Sequence, residues 1–543
     1  MTVFYKYRFR LPPAAVSAMA LIKLAGGSNF LGYYMYHGGT NPRGKRTFLN
    51  EHAVPKFSYD YQAVLGEWGQ ARRHFHDLRL IHYFLDQFGE AFCSTKTGLP
   101  PGAEAISPTD PHALRWAVRS DGTGGFLFIV NYQDHFPLAA KEGVSFQLDF
   151  GGEGKGPAEP AATGPAGPAP ALRSAVAGIA TAQPASAEMA TPLAATAGLR
   201  IPAAGGLDIA PELCAILPFN QDLDGLRLRY ATAQPVCRLE TGGEPWWFFL
   251  APAGLRSEFA LVAGEVASVI GSPHDLDRIA NPEGSGNDTL LVVRPQGVSG
   301  GHWRVVLANG RTCNLALVPE AEARQLYLVE LAGQRHLVRS DALVYATTDS
   351  RGRPALAVEH DAATRPALAA FPALPAGCNL DGRFLKPETP ASDELFTSYL
   401  AAGVAACADG RLDLPVTMVG ERKARVRLPK AMPEGLDDLI LVVDYEGDIG
   451  NAYIGGQLVH DHFWNGESWE ISLACLGNGL PDGSWGQELC LDIIPVRAGS
   501  QVVSGGQSVI ATSTPSSGSS QGRIARLMRS NGTSAMRLEM NST

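Results

Sequence analysis

After Gly89 short alternating or β-branched runs, bounded by Gly, Pro, Asn and Asp, dominate the chain. GGFLFIVNY, GVSFQLDF, WWFFLAP, WRVVLANG, RQLYLVEL, HLVRSDALVYAT, DLILVVDYEG and ELCLDIIPV are the clearest. Such runs are too short for helices, and the turn residues between them suit hairpins. The spacing predicts β-sandwiches rather than a parallel sheet. At 543 residues the chain exceeds what one core holds, so about two to four domains are expected.

The first ninety residues have a different cadence. PPAAVSAMALIKLAGG (residues 12–27) reads as a helix, with prolines in its first turn and Gly26-Gly27 as its stop. NFLGYYMY (29–36) is a nearly unbroken apolar run, as expected of a strand covered on both faces. The loop His37-Gly38-Gly39-Thr40-Asn41 follows. Phe75, Leu78, Ile81, Leu85 and Phe88 then recur at helical spacing from Arg72 to Phe88. Helix, strand, loop, helix is an α/β pattern.

Composition divides the remainder. Residues 151–198 form an Ala/Pro/Gly stretch without an aromatic residue, so an insertion over 153–199 is expected to stay disordered. The Ala/Pro passage Ala362–Gly377 reads as a linker, and the residues after Gly499 as a flexible tail. The expected divisions are 1–95, β-sandwich modules over 96–345, a linker over 346–380, a β domain over 381–498 and a tail over 499–543. Acidic residues outnumber basic ones, 54 to 45, and no basic patch occurs, which argues against a nucleic-acid partner. No apolar stretch reaches the roughly 18 residues of a membrane span. The opening MTVFYKYRFRLPP lacks the apolar core of a secretory signal. The eight cysteines form no CxxC pair, so no structural zinc site is expected, nor any cofactor.

The densest polar and aromatic cluster lies between Tyr33 and Trp68, in YYMYHGGTN and SYDYQAVLGEWG. In a barrel of eight βα units, loops after the strands form the active site. Tyr34, Tyr59 and Tyr61 suit a sugar pocket, where a ring packs on the C–H face of a pyranose and a phenol binds its oxygens. They equally suit a barrel core, with His37 a satisfied hydrogen-bonding residue. Glu51, Asp60 and Glu67 offer a general acid/base pair for glycoside hydrolysis, or helix caps and arginine partners. His74, His76 and His82 share one expected helix, but positions two apart face different sides and positions eight apart lie about 12 Å apart, which disfavours a shared metal ion. Asp444, Glu446 and Asp448 could attract calcium, yet the EF-hand glutamate is missing. Trp464 and Trp469 read as sandwich core or as a sugar platform, the former favoured.

GGSNFLGYYMYHGGTNPRG followed by SYDYQAVLGEWGQ resembles the glycoside hydrolase family 35 β-galactosidases, whose signature runs approximately YYM(Y/F)HGGTNFGR and SYDYDAPLDEYG. The resemblance implies the C-terminal end of a TIM barrel, with YYMYHGGTN leaving its eighth strand. It implies β-sandwich modules after the barrel, and a C-terminal jelly-roll of the galactose-binding-like type for VVDYEGDIGNAYIGGQLVHDHFWNGESWEI. It makes Tyr34, Tyr59 and Tyr61 substrate-binding residues of a galactose pocket. Gln62, Val64, Trp68 and Pro42 depart from the pattern and leave the three tyrosines intact.

The family retains configuration through two glutamates about 5 Å apart. Tyr34 has 33 residues before it, too few for the barrel strands that carry them, so both are expected upstream of Met1. The implied activity is hydrolysis of terminal non-reducing β-galactosides, with this chain alone inactive. A non-catalytic carbohydrate-binding β-sandwich protein, or one piece of a split enzyme, are the alternatives.

Overall fold

The computed structural model describes residues 7–8, 10–49, 55–134, 136–149, 180–183, 198–280, 289–297, 300–361, 366–380, 383–384, 386–387, 395–400, 414–432, 436, 438–478, 486–495, 501–504, 507–510, 526–527, 535–536 and 538–542. They are mostly β, in two compact units: Pro13–Gly32 with Asp77–Arg324, and Met1–Pro12 with Tyr33–His76 and Gln325–Thr543. Residues 1–95, expected as one piece, are therefore shared between the two.

In the first of these units GGFLFIVNY forms the strand Gly125–Val130, buried at all six positions. It lies inside an antiparallel sheet of eight strands, paired with Arg115–Ser120 on one side and Cys214–Leu223 on the other. Alternation then assigns its side chains. Leu127 and Ile129 enter a core with Phe146, Leu148, Leu199, Ile201, Leu207 and Ile209 from a four-stranded sheet. Phe126 and Phe128 point the other way, to aromatic residues of a helix. A further sheet of five strands pairs Glu244–Ala251 with Thr312–Pro319 in parallel.

Helix α1, Pro13–Ala25, starts and stops where its prolines and glycines place it. Gly27 takes φ 104°, its N–H donates to Leu24 O, and the Ser28 N–H donates to Lys23 O. This pair of bonds is the Schellman arrangement, which a residue without Cβ makes readily. Helix α2, Arg73–Cys93, runs five residues past the expected end and carries Gly89 inside it. The cause is Phe92, fully buried against Phe84, Phe126 and Phe128. Burying a phenylalanine contributes about 1.5–3 kcal/mol, more than the roughly 1 kcal/mol an interior glycine costs.

The other unit holds a β-sandwich. One sheet orders Gln457–Phe463, Ile449–Ile454, Glu488–Ile494, Lys423–Arg427 and Leu414–Met418 side by side. The other contains Asp438–Val443 and Trp469–Ser472. Lys423–Arg427 alternates strictly between exposed and buried, the pattern of a sheet with one wet face. Val426, Ala452 and Leu491 meet Leu439, Leu441, Val443 and Ile471 in the core, with Tyr445 and Trp469 among them.

Two expectations fail. NFLGYYMY forms no strand: Phe30 is 84% and Tyr34 73% exposed, and no strand pairs with this run among the described residues. Apolar composition supplies faces for a strand but not the neighbours that bond its backbone. The passage 346–380 is no linker. It carries the ends of Leu343–Thr348 and Pro354–Asp361, which pair antiparallel, and Leu368–Phe371, which pairs with Gln334–Ser340. Leu356, Val358, Ala370, Leu374 and Cys378 fill a core there. Alanine is small rather than polar, and the Ala/Pro composition hid apolar burial. Most of the segment 153–199 and of the tail lies outside the described residues, but Ala180–Gln183 pairs with Lys141–Asp149, and Leu538–Ser542 with Asp438–Val443. The split at HLVRSDALVYAT, into Gln334–Ser340 and Leu343–Thr348, falls at Ser340-Asp341, turn-forming residues.

Candidate functional site

The two aromatic motifs, some twenty residues apart in sequence, hydrogen-bond to each other. Gly39–Thr40 pairs antiparallel with Ser58–Tyr59. The Asn41 N–H donates to Phe57 O, the Gly38 N–H to Leu65 O and the Leu65 N–H to Tyr36 O, each at 2.8 Å. Gly38 is required by this closeness, since a Cβ there would lie 2.8 Å from the Glu67 nitrogen and 3.0 Å from the Asp60 Cα. The HGGTN glycine is thus explained by packing.

This pairing brings the three tyrosines together. The hydroxyls of Tyr34 and Tyr59 are hydrogen-bonded, and the Tyr59 and Tyr61 rings lie edge-to-face with centroids 4.4 Å apart. Tyr34 is exposed and the other two are half-buried, so the cluster lies at the surface rather than in a core. The bond to Tyr34 pushes the Tyr59 pKa up to about 12, with burial and the neighbouring phenols adding to it. Burial, then Tyr34, raises Tyr61 too. Both phenols therefore stay neutral near pH 7 and keep a proton to donate.

Tyr61 and Gln62 form the centre of a turn with φ 48° and 53°. Consecutive left-handed residues other than glycine cost about 1–2 kcal/mol each, so something must hold them. Asp60 does: its Oδ1 accepts from the Gln62 N–H at 2.9 Å and its carbonyl from the Ala63 N–H at 3.0 Å. Arg72 closes the turn by donating to Asp60 Oδ1 and to Ala63 O, both at 2.8 Å. The other oxygen, Oδ2, accepts the Glu67 N–H at 2.6 Å. Asp60 thus accepts three donors that shape the loop.

Glu67 is likewise engaged. Its carboxylate is buried, accepts from Thr40 Oγ1 at 2.5 Å, and lies 3.1 Å from His460 Nε2 through either oxygen. Glu51 lies outside the described residues. His37 Nδ1 bonds to the Gly38 carbonyl, and His74 Nε2 lies 3.3 Å from Ala63 O. His76 meets the Phe75 ring edge-on, and burial lowers the His82 pKa. Among the described residues no three His, Cys, Asp or Glu side chains are grouped to hold a metal ion. Asp444 accepts from Ser468 Oγ at 2.5 Å, and the Asp448 N–H donates to Ile494 O. Trp469 is core, and Trp464 packs partly buried against it.

Sequence reasoning did not find the residues beneath the loop. Asp461, fully buried, accepts the backbone N–H groups of Lys56, Phe57 and Ser58, the last two at 2.8 and 3.2 Å. Its neighbour His460 receives the Trp469 indole N–H on Nδ1 at 2.9 Å. The Trp68 indole donates to Glu470 O at 3.0 Å, and Gln70 Nε2 to Glu470 Oε2 at 2.6 Å. Only the unusual VHDHFW string within a strand hinted at them; nothing local links positions some 400 residues apart.

Residues 12–85 match the model of the glycosyl hydrolases family 35. The matched segment carries the three tyrosines, the Asp60 turn and Glu67. No curated protein matches the chain. No helix among the described residues is long and apolar enough to cross a membrane.

Proposed function

We propose that this chain supplies the galactose-binding tyrosines and the trailing β domains of a retaining β-galactosidase, the C-terminal end of its TIM barrel and a jelly-roll among them. The observation that carries the reading is the surface cluster of Tyr34, Tyr59 and Tyr61 inside a family 35 segment. Galactose has an axial 4-hydroxyl, which leaves C–H groups together on one face for a ring to cover, while neutral phenols donate to its oxygens. Asp60 and Glu67 shape the loop, so the nucleophile and the acid/base are other carboxylates. Binding groups without them stabilise a ground state only, and the reading makes the chain alone a binder without turnover.

Galactose titrated into the 543-residue chain is expected to bind weakly, and Tyr59→Ala to abolish the signal. A chromogenic β-galactoside is expected to stay uncleaved. Turnover above buffer that disappears in Glu67→Gln would overturn the assignment. Binding of other sugars as strongly as galactose would favour a general carbohydrate-binding protein instead.

A further inference from the structure

The loop from Lys56 to Gln70 buries Phe57, Ala63 and Val64, and its backbone is held in addition by polar groups remote in sequence. Asp461 receives three consecutive backbone amides, with Oδ2 taking Lys56 and Oδ1 shared by Phe57 and Ser58. Successive amides converging on one carboxylate make a strong, directional anion seat, and this one ends at the residue before Tyr59. The next grip comes after Tyr61. An indole N–H only donates, so His460 Nδ1 accepts from Trp469, and the ring proton must sit on Nε2, where it is donated to Glu67. Glu67 in turn receives the Thr40 hydroxyl, so this second grip holds both motifs at once. Between the grips lies the left-handed turn at Tyr61-Gln62, a conformation a free loop would leave.

We propose that Asp461 and His460, adjacent on the strand Gln457–Phe463, are positioning residues for the tyrosine cluster: together they hold residues 56–67 in the conformation in which Tyr59 reaches Tyr34. Asp461 acts through the backbone amides of Lys56–Ser58 and His460 through Glu67. The functional consequence rests on the sugar-binding reading above, whereas the geometric one does not. The chain's C-terminal sandwich thereby acts on sugar recognition without itself lining the cluster.

The test uses the full chain with its tyrosines labelled at Cζ for NMR, in wild type, Asp461→Asn and His460→Gln, with Tyr34→Phe to assign the Tyr59 signal. In wild type the Tyr59 resonance is expected to stay in its neutral form to pH 11. In Asp461→Asn it is expected to ionise at least about tenfold more readily, the Lys56–Ser58 amides to exchange at least about tenfold faster, and galactose affinity to fall by a similar factor. His460→Gln, which keeps a donor toward Glu67 but loses the indole acceptor, is expected to move the same readouts less. If those amides loosen while the Tyr59 titration and the affinity remain as in wild type, the grips serve only the loop's stability and the proposal fails. If wild type binds no galactose, the functional reading fails and the Tyr59 titration alone decides the positioning. Should Asp461→Asn not fold, His460→Gln is read in its place by the same criteria.

Discussion

Arg119 and Asp461 are two buried charges, each held by polar groups rather than by an opposite charge. Arg119, 1% exposed, donates to the carbonyls of Leu24, Phe92 and Thr95, to Asn29 Oδ1 and to Thr95 Oγ1, with its guanidinium 4.2 Å from the Phe92 ring centre. Leu24 and Phe92 lie in the last turns of α1 and α2, where exposed carbonyls and the helix dipole favour a cation. Burial lowers the Arg119 pKa, and the carbonyls compensate by accepting its donors. Asp461 is the reverse case, an anion held by amides. The helices around Arg119 bring apolar stripes that bury themselves in any case. The loop above Asp461 buries Phe57, Ala63 and Val64, but at Lys56–Ser58 it is the backbone amides, gathered on Asp461, that the polar seat fixes.

That contrast can be broken from the Arg119 side first. Arg119→Met leaves several buried carbonyls without donors, at an expected cost of about 2–4 kcal/mol. Denaturant unfolding should show a lower midpoint with an unchanged slope, because Phe84, Phe88 and Phe92 still dock the helix. A loss of cooperativity would mean that the cation, not the aromatic stripe, decides helix docking.

Glu67→Gln should have a smaller effect, about 1–2 kcal/mol, because the amide keeps the size of the side chain and one acceptor oxygen. Faster exchange is expected at the amides of residues 38–41 and 58–67, with the Val426 and Leu491 amides as protected as before. Equal loosening in both places would show that the loop is an integral part of the sandwich core.

The smallest change is expected from Tyr34→Phe, which removes the bond that raises Tyr59. A raised phenol pKa means that the folded chain favours the neutral form. Its contribution to stability is complete below the ordinary value near 10 and disappears as the pH rises through about 12. Tyr34→Phe should therefore leave the melting temperature at pH 7 unchanged and bring Tyr59 ionisation toward the ordinary value, measurable by ultraviolet titration. An unaltered titration would assign the shift to burial instead of to Tyr34.

Much of the β architecture was legible locally. GGFLFIVNY, WRVVLANG and ELCLDIIPV became strands because runs of this kind have one or two apolar faces and turn residues at their ends. The motifs also drew Tyr34, Tyr59 and Tyr61 out of the sequence, and the structure brings the three together. Asp60 and Glu67 stood out as acids, but their sequence neighbourhood could not separate a catalytic carboxylate from one that shapes a loop. The answer depends on which donors reach their oxygens, and the Glu67 partner is 393 positions away.

The sequence by itself determined the chain's β character, the limits of α1 and the match of residues 12–85 to the family 35 pattern, because propensity, periodicity and turn chemistry act over a few neighbouring residues. Tertiary structure alone decided that α2 runs through Gly89, that Phe30–Tyr36 forms no strand, and that Ala362–Gly377 contributes to a core instead of linking two. It also decided that His460 and Asp461 lie beneath the tyrosine loop. Each of these turns on burial or on a hydrogen bond between residues distant in the chain, and such a partner exists only once the chain has folded.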